Sequence, residues 1–235
     1  MYTKHVNQPA YETYFKKYKT DGTEYPAGSL PPKFAGQIDV PLNGNTITVQ
    51  VKFVPQPDSG VSTADVDAAK TKLENGVQSN WNGKFTLTVD DPVCGKKSFK
   101  VQYKIVWVTS GQDYTIKIHT TWPREGVTGE VMDVSKTTSA WVYSHEFGHC
   151  VGLPDEYAYV SPGPESVKYI KPDGSLDVAV PAPFDGKSKT APDATIMGAY
   201  DCTTVLERHG WTVAIEVQKL LSDSLGRKVK CSISI

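Results

Sequence analysis

The chemistry of this sequence is concentrated in one run: Ser144-His145-Glu146-Phe147-Gly148-His149-Cys150-Val151-Gly152-Leu153-Pro154-Asp155-Glu156-Tyr157. On a helix, residues four apart share a face, so His145 and His149 can each turn an imidazole toward a single ion. Glu146 follows the first histidine by one residue and projects beside that ion. A general base for a metal-activated water must stand there. Gly152 can adopt the left-handed conformation, end the helix and turn the chain back. Asp155 then swings toward the two histidines, and a carboxylate is an accepted third ligand for zinc. Glu156 and Asp193 are the other carboxylates that could complete the set. Three protein ligands leave the fourth position open, as catalysis requires. Without a metal, two buried histidines flanking a buried glutamate would carry a desolvation cost with nothing to offset it.

Such a set must be carried on rigid elements. Thr137 to Gly152 reads as a helix capped by Thr137, Thr138 or Ser139. Upstream, Ile38, Val40 and Leu42, then Ile47, Val49, Val51 and Phe53, alternate with polar residues around Asn43-Gly44-Asn45, which predicts a hairpin. Ala64 to Trp81 has apolar residues at helical spacing. Further strands are expected at Phe85–Val89, Phe99–Val108 and Tyr114–His119, with a shorter one at Glu130–Val134. Residues 153 to about 195 are rich in proline and glycine. A long helix follows over 204–225, stopped by Gly226, and then a last strand over Arg227–Ile235. The order predicts an α+β fold, with a twisted mixed sheet and two helices in the N-terminal half. Residues 1–35, ending in Pro-Ala-Gly-Ser-Leu-Pro-Pro, read as an N-terminal arm or linker. The catalytic unit is then 36–235, divided into 36–152 and 153–235.

Composition removes several classes. The 235 residues carry 25 Lys and Arg against 26 Asp and Glu, a net charge of -1, and no basic run stands out, so a nucleic-acid partner is not expected. No apolar run reaches the length of a membrane span. The first residues lack the apolar core of a signal peptide. That predicts a protein that is cytosolic, is cut from a larger chain, or leaves the cell by a route needing no such signal. Cys94, Cys150, Cys202 and Cys231 form no C-x-x-C pair, and their pairing is not readable from sequence. Cys150 is expected to be a buried free thiol. His209 reads as a core histidine, and His119 and His5 as exposed. Segment Asp113–Thr121 could be an edge strand that pairs with an extended substrate.

The pattern H-E-x-x-H-x-x-G-x-x-D resembles the metzincin clan of zinc peptidases, and Gly152-Leu153-Pro154-Asp155 looks like the Asp variant of the snapalysin family. Thr195-Ile196-Met197-Gly198 is similar to the methionine turn that those peptidases carry beneath the metal. The resemblance implies a metzincin-like catalytic domain with one zinc ion, held by His145, His149 and Asp155. It also implies a tyrosine that helps hold the substrate oxyanion. Many members place that tyrosine two residues after the methionine; Tyr200 is three after, and Tyr157 is its rival. The chain is also similar in general appearance to metallopeptidase toxin domains carried on type VI secretion spikes. That similarity implies delivery outside the producing cell, fusion to a secretion spike protein and a cognate immunity protein as inhibitor.

The reaction expected is zinc-dependent hydrolysis of a peptide bond in a protein or peptide substrate, with Glu146 as general base. Two other readings stand beside it. One is a zinc amidase acting on cell-wall peptides, with the same metal chemistry and a different cleft. The other is a non-catalytic binding module with structural zinc, against which Glu146 argues, since a purely structural site has no need of it.

Overall fold

A computed structural model of the chain describes residues 1–26, 32–158 and 165–235. It has an α+β architecture built on a mixed nine-stranded sheet. In chain order the elements are β1 (Tyr2–Pro9), β2 (Phe15–Tyr18), β3 (Lys33–Val40), β4 (Thr46–Pro57), α1 (Thr63–Asn80), β5 (Thr86–Asp91), β6 (Gly95–Trp107), β7 (Tyr114–His119), β8 (Gly126–Thr128), β9 (Val131–Ser135), α2 (Ala140–Cys150), β10 (Glu165–Tyr169), β11 (Val180–Ala182), a 3-10 turn at Glu207–Gly210, α3 (Trp211–Leu225) and β12 (Lys230–Ser234). The expected hairpin is β3–β4, and the expected strands and helices upstream of residue 152 correspond to observed elements. The late helix is shorter than its pattern suggests: residues 204–206 are not helical, a 3-10 turn covers Glu207–Gly210 and the α-helix begins at Trp211.

The main sheet runs β12-β5-β6-β4-β7-β9-β8, with β1 and β3 attached alongside β4. The pairs β4–β6, β4–β7 and β7–β9 are parallel. Alternation in β4 buries Ile47, Val49, Val51 and Phe53. Helix α1 starts on a capping box between Ser62 and Asp65. It lies against α2 at Gly76, where a Cβ would stand 3.1 Å from the Ser144 Cβ. The Ser144 carbonyl accepts a hydrogen bond from Trp81 Nε1 at 2.9 Å, which locks the two helices in register.

Of the arm expected at residues 1–35, the described residues 1–26 and 32–35 are part of the fold. β1 is an edge strand, antiparallel to β3 from Tyr2 opposite Val40 to Pro9 opposite Lys33. Its pattern looked like a linker because an edge strand contributes backbone hydrogen bonds more than buried side chains: Val6 is its one buried residue. After β1, Ala10, Tyr14 and Phe15 enter the core. The division at residue 152 falls at the end of α2, yet strands cross it in both directions. β12 returns to pair with β5, and β2 pairs with β10 in a second sheet of order β11-β10-β2. Two further expectations are corrected. β7 is interior, between β4 and β9, and the edge on that side is β8. His119 is buried between Asp58 and Asp133, under the stacked ring of Trp122. All four cysteines are free, and Cys150 is buried.

Candidate metal centre and cleft

Helix α2 begins where Ser139, in extended backbone, accepts a hydrogen bond from the Val142 amide. From Tyr143 to Cys150 every residue is buried, so the helix lies inside the molecule with its polar residues facing inward. Gly148 allows this depth. A Cβ there would meet the Sδ of Met197 at 2.5 Å, so the methionine packs directly beneath the helix backbone. The helix ends as the glycine predicts. Gly152 has φ of 86°, and the amides of Gly152 and Leu153 bond back to the carbonyls of His149 and Gly148.

That reversal brings Asp155 onto both histidines. Its Oδ1 lies 3.1 Å from His145 Nε2 and 3.2 Å from His149 Nε2. The other ring nitrogens are committed elsewhere: His145 Nδ1 is 2.8 Å from the Ile196 carbonyl and His149 Nδ1 is 2.8 Å from the Leu153 carbonyl. A carbonyl only accepts, so both Nδ1 atoms must donate. In the neutral rings both Nε2 lone pairs then face a carboxylate oxygen. Three acceptors converging in a buried space call for a cation at their centre. Ligand atoms about 2.0–2.1 Å from one tetrahedral zinc ion stand about 3.3 Å apart, and the observed spacings match that geometry. The residues present therefore fit a zinc ion.

Without an ion, the site takes up protons as the cation it calls for. Burial works against the charged forms of His145 and His149, yet Asp155 and Glu146 raise both, and His149 is pushed up to about 9. Asp155 is held far below the usual carboxylate range, because the charges and hydrogen bonds of the histidines outweigh its burial. Burial dominates for Glu146 and raises its pKa. Ligand-type atoms of His145, Glu146 and His149 lie within 4.8 Å of one another. Glu146 Oε2, 3.9 Å from His149 Nε2, is buried without a hydrogen-bond partner among the described residues.

The other candidate ligands point away. Glu156 is fully buried on the far side of the turn. It accepts hydrogen bonds from Tyr169, Thr195 and Arg208 and lies against His209. Asp193 is exposed and paired with Lys187. Of the two tyrosines, Tyr157 has its side chain hydrogen-bonded to Asp155, and burial followed by the charge of Asp155 raises its pKa. Tyr200 is 65% exposed and rests on Trp141, which in turn stacks on His145.

Two cavities, of about 360 and about 340 Å³, meet at Glu146, Tyr157, Arg124 and Glu125. The first is bounded by His149, Asp155, strand β8 and the β2 residues Phe15 and Lys17. The second is bounded by His145, Trp141, Phe184 and Tyr200. Sequence reasoning missed Lys17, Arg124 and β8. Nothing local marks them, since they reach the site through strand pairing and loop placement. Comparison of the chain with protein-family profiles, with curated proteins and with solved structures gave no match.

Proposed function

We propose that this protein is a zinc-dependent endopeptidase of metzincin-like type. One observation carries the reading: a buried trio of acceptors from His145, His149 and Asp155, with the unpartnered carboxylate oxygen of Glu146 beside it. A structural zinc site closes with four protein ligands and needs no spare base, so the arrangement favours catalysis over a binding module. The packing of Met197 against Gly148, next to the carbonyl that orients His145, is what the methionine turn of that clan would supply.

His145, His149 and Asp155 would hold the ion. When bound, it supplies Lewis acidity that polarises a carbonyl and makes water nucleophilic near neutral pH. Glu146 takes the proton from the attacking water and passes it to the leaving amine. Its burial raises its pKa and so strengthens it as a base. The carbonyls of Ile196 and Leu153 keep both imidazoles in the tautomer that presents Nε2. Tyr157, at the junction of the two cavities, is the better placed phenol for steadying negative charge on the substrate oxygen. Tyr200 shapes the rim.

The test is Glu146→Gln in zinc-loaded protein, assayed on an unfolded protein substrate. Zinc should stay bound while turnover falls by about 10²–10⁴-fold. Undiminished cleavage by this variant would show the mechanism to be wrong.

A further inference from the structure

The cavity beside His145 is bordered by aromatic rings that the fold leaves open to solvent. Tyr200 is 65% exposed and Phe184 is 46% exposed. Large apolar side chains left exposed around a cleft mark a surface that a ligand covers. Two carboxylates border the same space from separate segments: Glu125, just before β8, and Asp185, after β11. One oxygen of Glu125 accepts a hydrogen bond from Thr138 Oγ1 at 2.7 Å. Asp185 is exposed and has no hydrogen bond or ion pair among the described residues. The cations of the neighbourhood are spent. Arg124, which borders the cavity, is already engaged within the chain, Lys187 is paired with Asp193, and Arg208 with Glu156. In formal charge a divalent ion is matched by Glu146 and Asp155, and Arg124 by Glu125. The charge left over at this cavity is that of Asp185.

We propose that the cavity bordered by Phe184, Asp185 and Tyr200 is a specificity subsite for a basic side chain, so that the enzyme cleaves beside a Lys or Arg of its substrate. The inference rests on the peptidase reading and adds the substrate class. Lys and Arg carry a methylene stem that lies along apolar surface and a charged head that stays near water. The stem covers Phe184 and Tyr200, and the head meets Asp185 at the rim. A cation is also attracted to the face of an aromatic ring. An apolar side chain of the same length covers the rings but leaves Asp185 with water alone. An acidic one meets Asp185 and Glu125 as like charges, which supplies rejection as well as preference.

The experiment uses the full chain loaded with zinc and three unstructured peptides that differ at one central position, which is Lys, Met or Glu. Mass spectrometry locates each cut. The expected result is cleavage next to the Lys, with kcat/KM about fivefold to tenfold above that of the Met peptide at the same bond and the Glu peptide slowest. In Asp185→Asn the Lys-to-Met ratio should fall toward one, with zinc content and cleavage of the Met peptide kept. In Phe184→Ala both peptides should slow together. Equal cleavage of the Lys and Met peptides by the parent, or a preference for Met, overturns the basic subsite and leaves the peptidase reading intact. A Lys preference undiminished in Asp185→Asn overturns the subsite as assigned. No cleavage of any peptide by protein with zinc bound overturns the peptidase reading. Binding of the labelled peptides to zinc-loaded Glu146→Gln protein is a readout independent of turnover. The Lys peptide should bind more tightly than the Met peptide, and added salt or Asp185→Asn in the same protein should remove the difference.

Discussion

His145 Nδ1 lies 2.8 Å from the carbonyl oxygen of Ile196, a contact across 51 positions of sequence. It couples the helix that supplies two candidate ligands to a turn that supplies none. The next residue, Met197, fills the space under Gly148, and its carbonyl accepts from the amide of Glu156. One turn therefore orients an imidazole, seats the helix and anchors the segment carrying Asp155. The geometry of the site is set as much by 195–198 as by α2.

The choice of third ligand follows directly. Asp155→Ala should abolish stoichiometric zinc, whereas Asp193→Ala should keep it, because Asp193 is spent on Lys187 at the surface. Elemental analysis of the purified proteins decides between them. A chelator should lower the melting temperature of the parent, since a ligand at a hundred times its Kd stabilises the fold by about 2.7 kcal/mol. Zinc retained in Asp155→Ala would break the proposed ligand set.

Gly152→Ala tests the turn that delivers Asp155. The position has φ of 86°, and a Cβ would also meet the Tyr14 ring at 2.9 Å. Left-handed backbone alone costs a non-glycine residue about 1–2 kcal/mol. The clash adds to this, so denaturant unfolding should show a loss above about 2 kcal/mol. Zinc affinity should fall as well, because the strained turn carries Asp155. A variant as stable as the parent would mean that the turn relaxes freely.

Glu156 makes the fold sensitive to acid. Burial opposes its ionisation, but the hydrogen bond and charge of His209, and then those of Arg208, hold its pKa far below the usual carboxylate range. A depressed folded pKa gives stability that is present above the unfolded value of about 4.3 and is lost as pH falls toward the folded one. Glu156→Gln leaves Arg208 partnerless on that side, and breaking a buried pair in this way costs about 3–5 kcal/mol. Equilibrium unfolding at pH 7 and pH 3 should show the variant weakened at neutral pH, with a smaller further loss in acid. Equal acid slopes in both proteins would exclude this role.

His119 titrates in the opposite sense. Burial lowers its pKa, but hydrogen bonds to Asp133 and Asp58 outweigh burial and leave it raised. Its contribution is fully present below the unfolded value of about 6.5 and fades as pH rises through the folded value. NMR titration of the imidazole should give a midpoint above about 6.5, moved downward by Asp133→Asn. An unchanged midpoint in that variant would remove Asp133 as a cause. The stacked Trp122 joins this cluster to the segment that carries Arg124.

Much of this molecule is written in local pattern. Alternating residues gave β3, β4 and β7, helical spacing gave α1, and the i, i+4 histidines with a glycine three residues later defined both α2 and its end. These signals are legible because each depends on one element's periodicity and on a glycine's freedom at positive φ. Which of two adjacent carboxylates enters the site was not decided at that level. Asp155 turns to the histidines and Glu156 to Arg208, with the Glu156 amide held by the Met197 carbonyl between them. The N-terminal strand was hidden for a related reason: β1 contributes backbone hydrogen bonds, which any polar sequence can make, and only pairing with β3 reveals it. Lys17 and Arg124 reach the cleft from separate parts of the chain, 107 positions apart. Side-chain type and spacing are properties of the chain, but proximity between distant residues is created only when strands pair and elements pack, and tertiary structure alone supplies that.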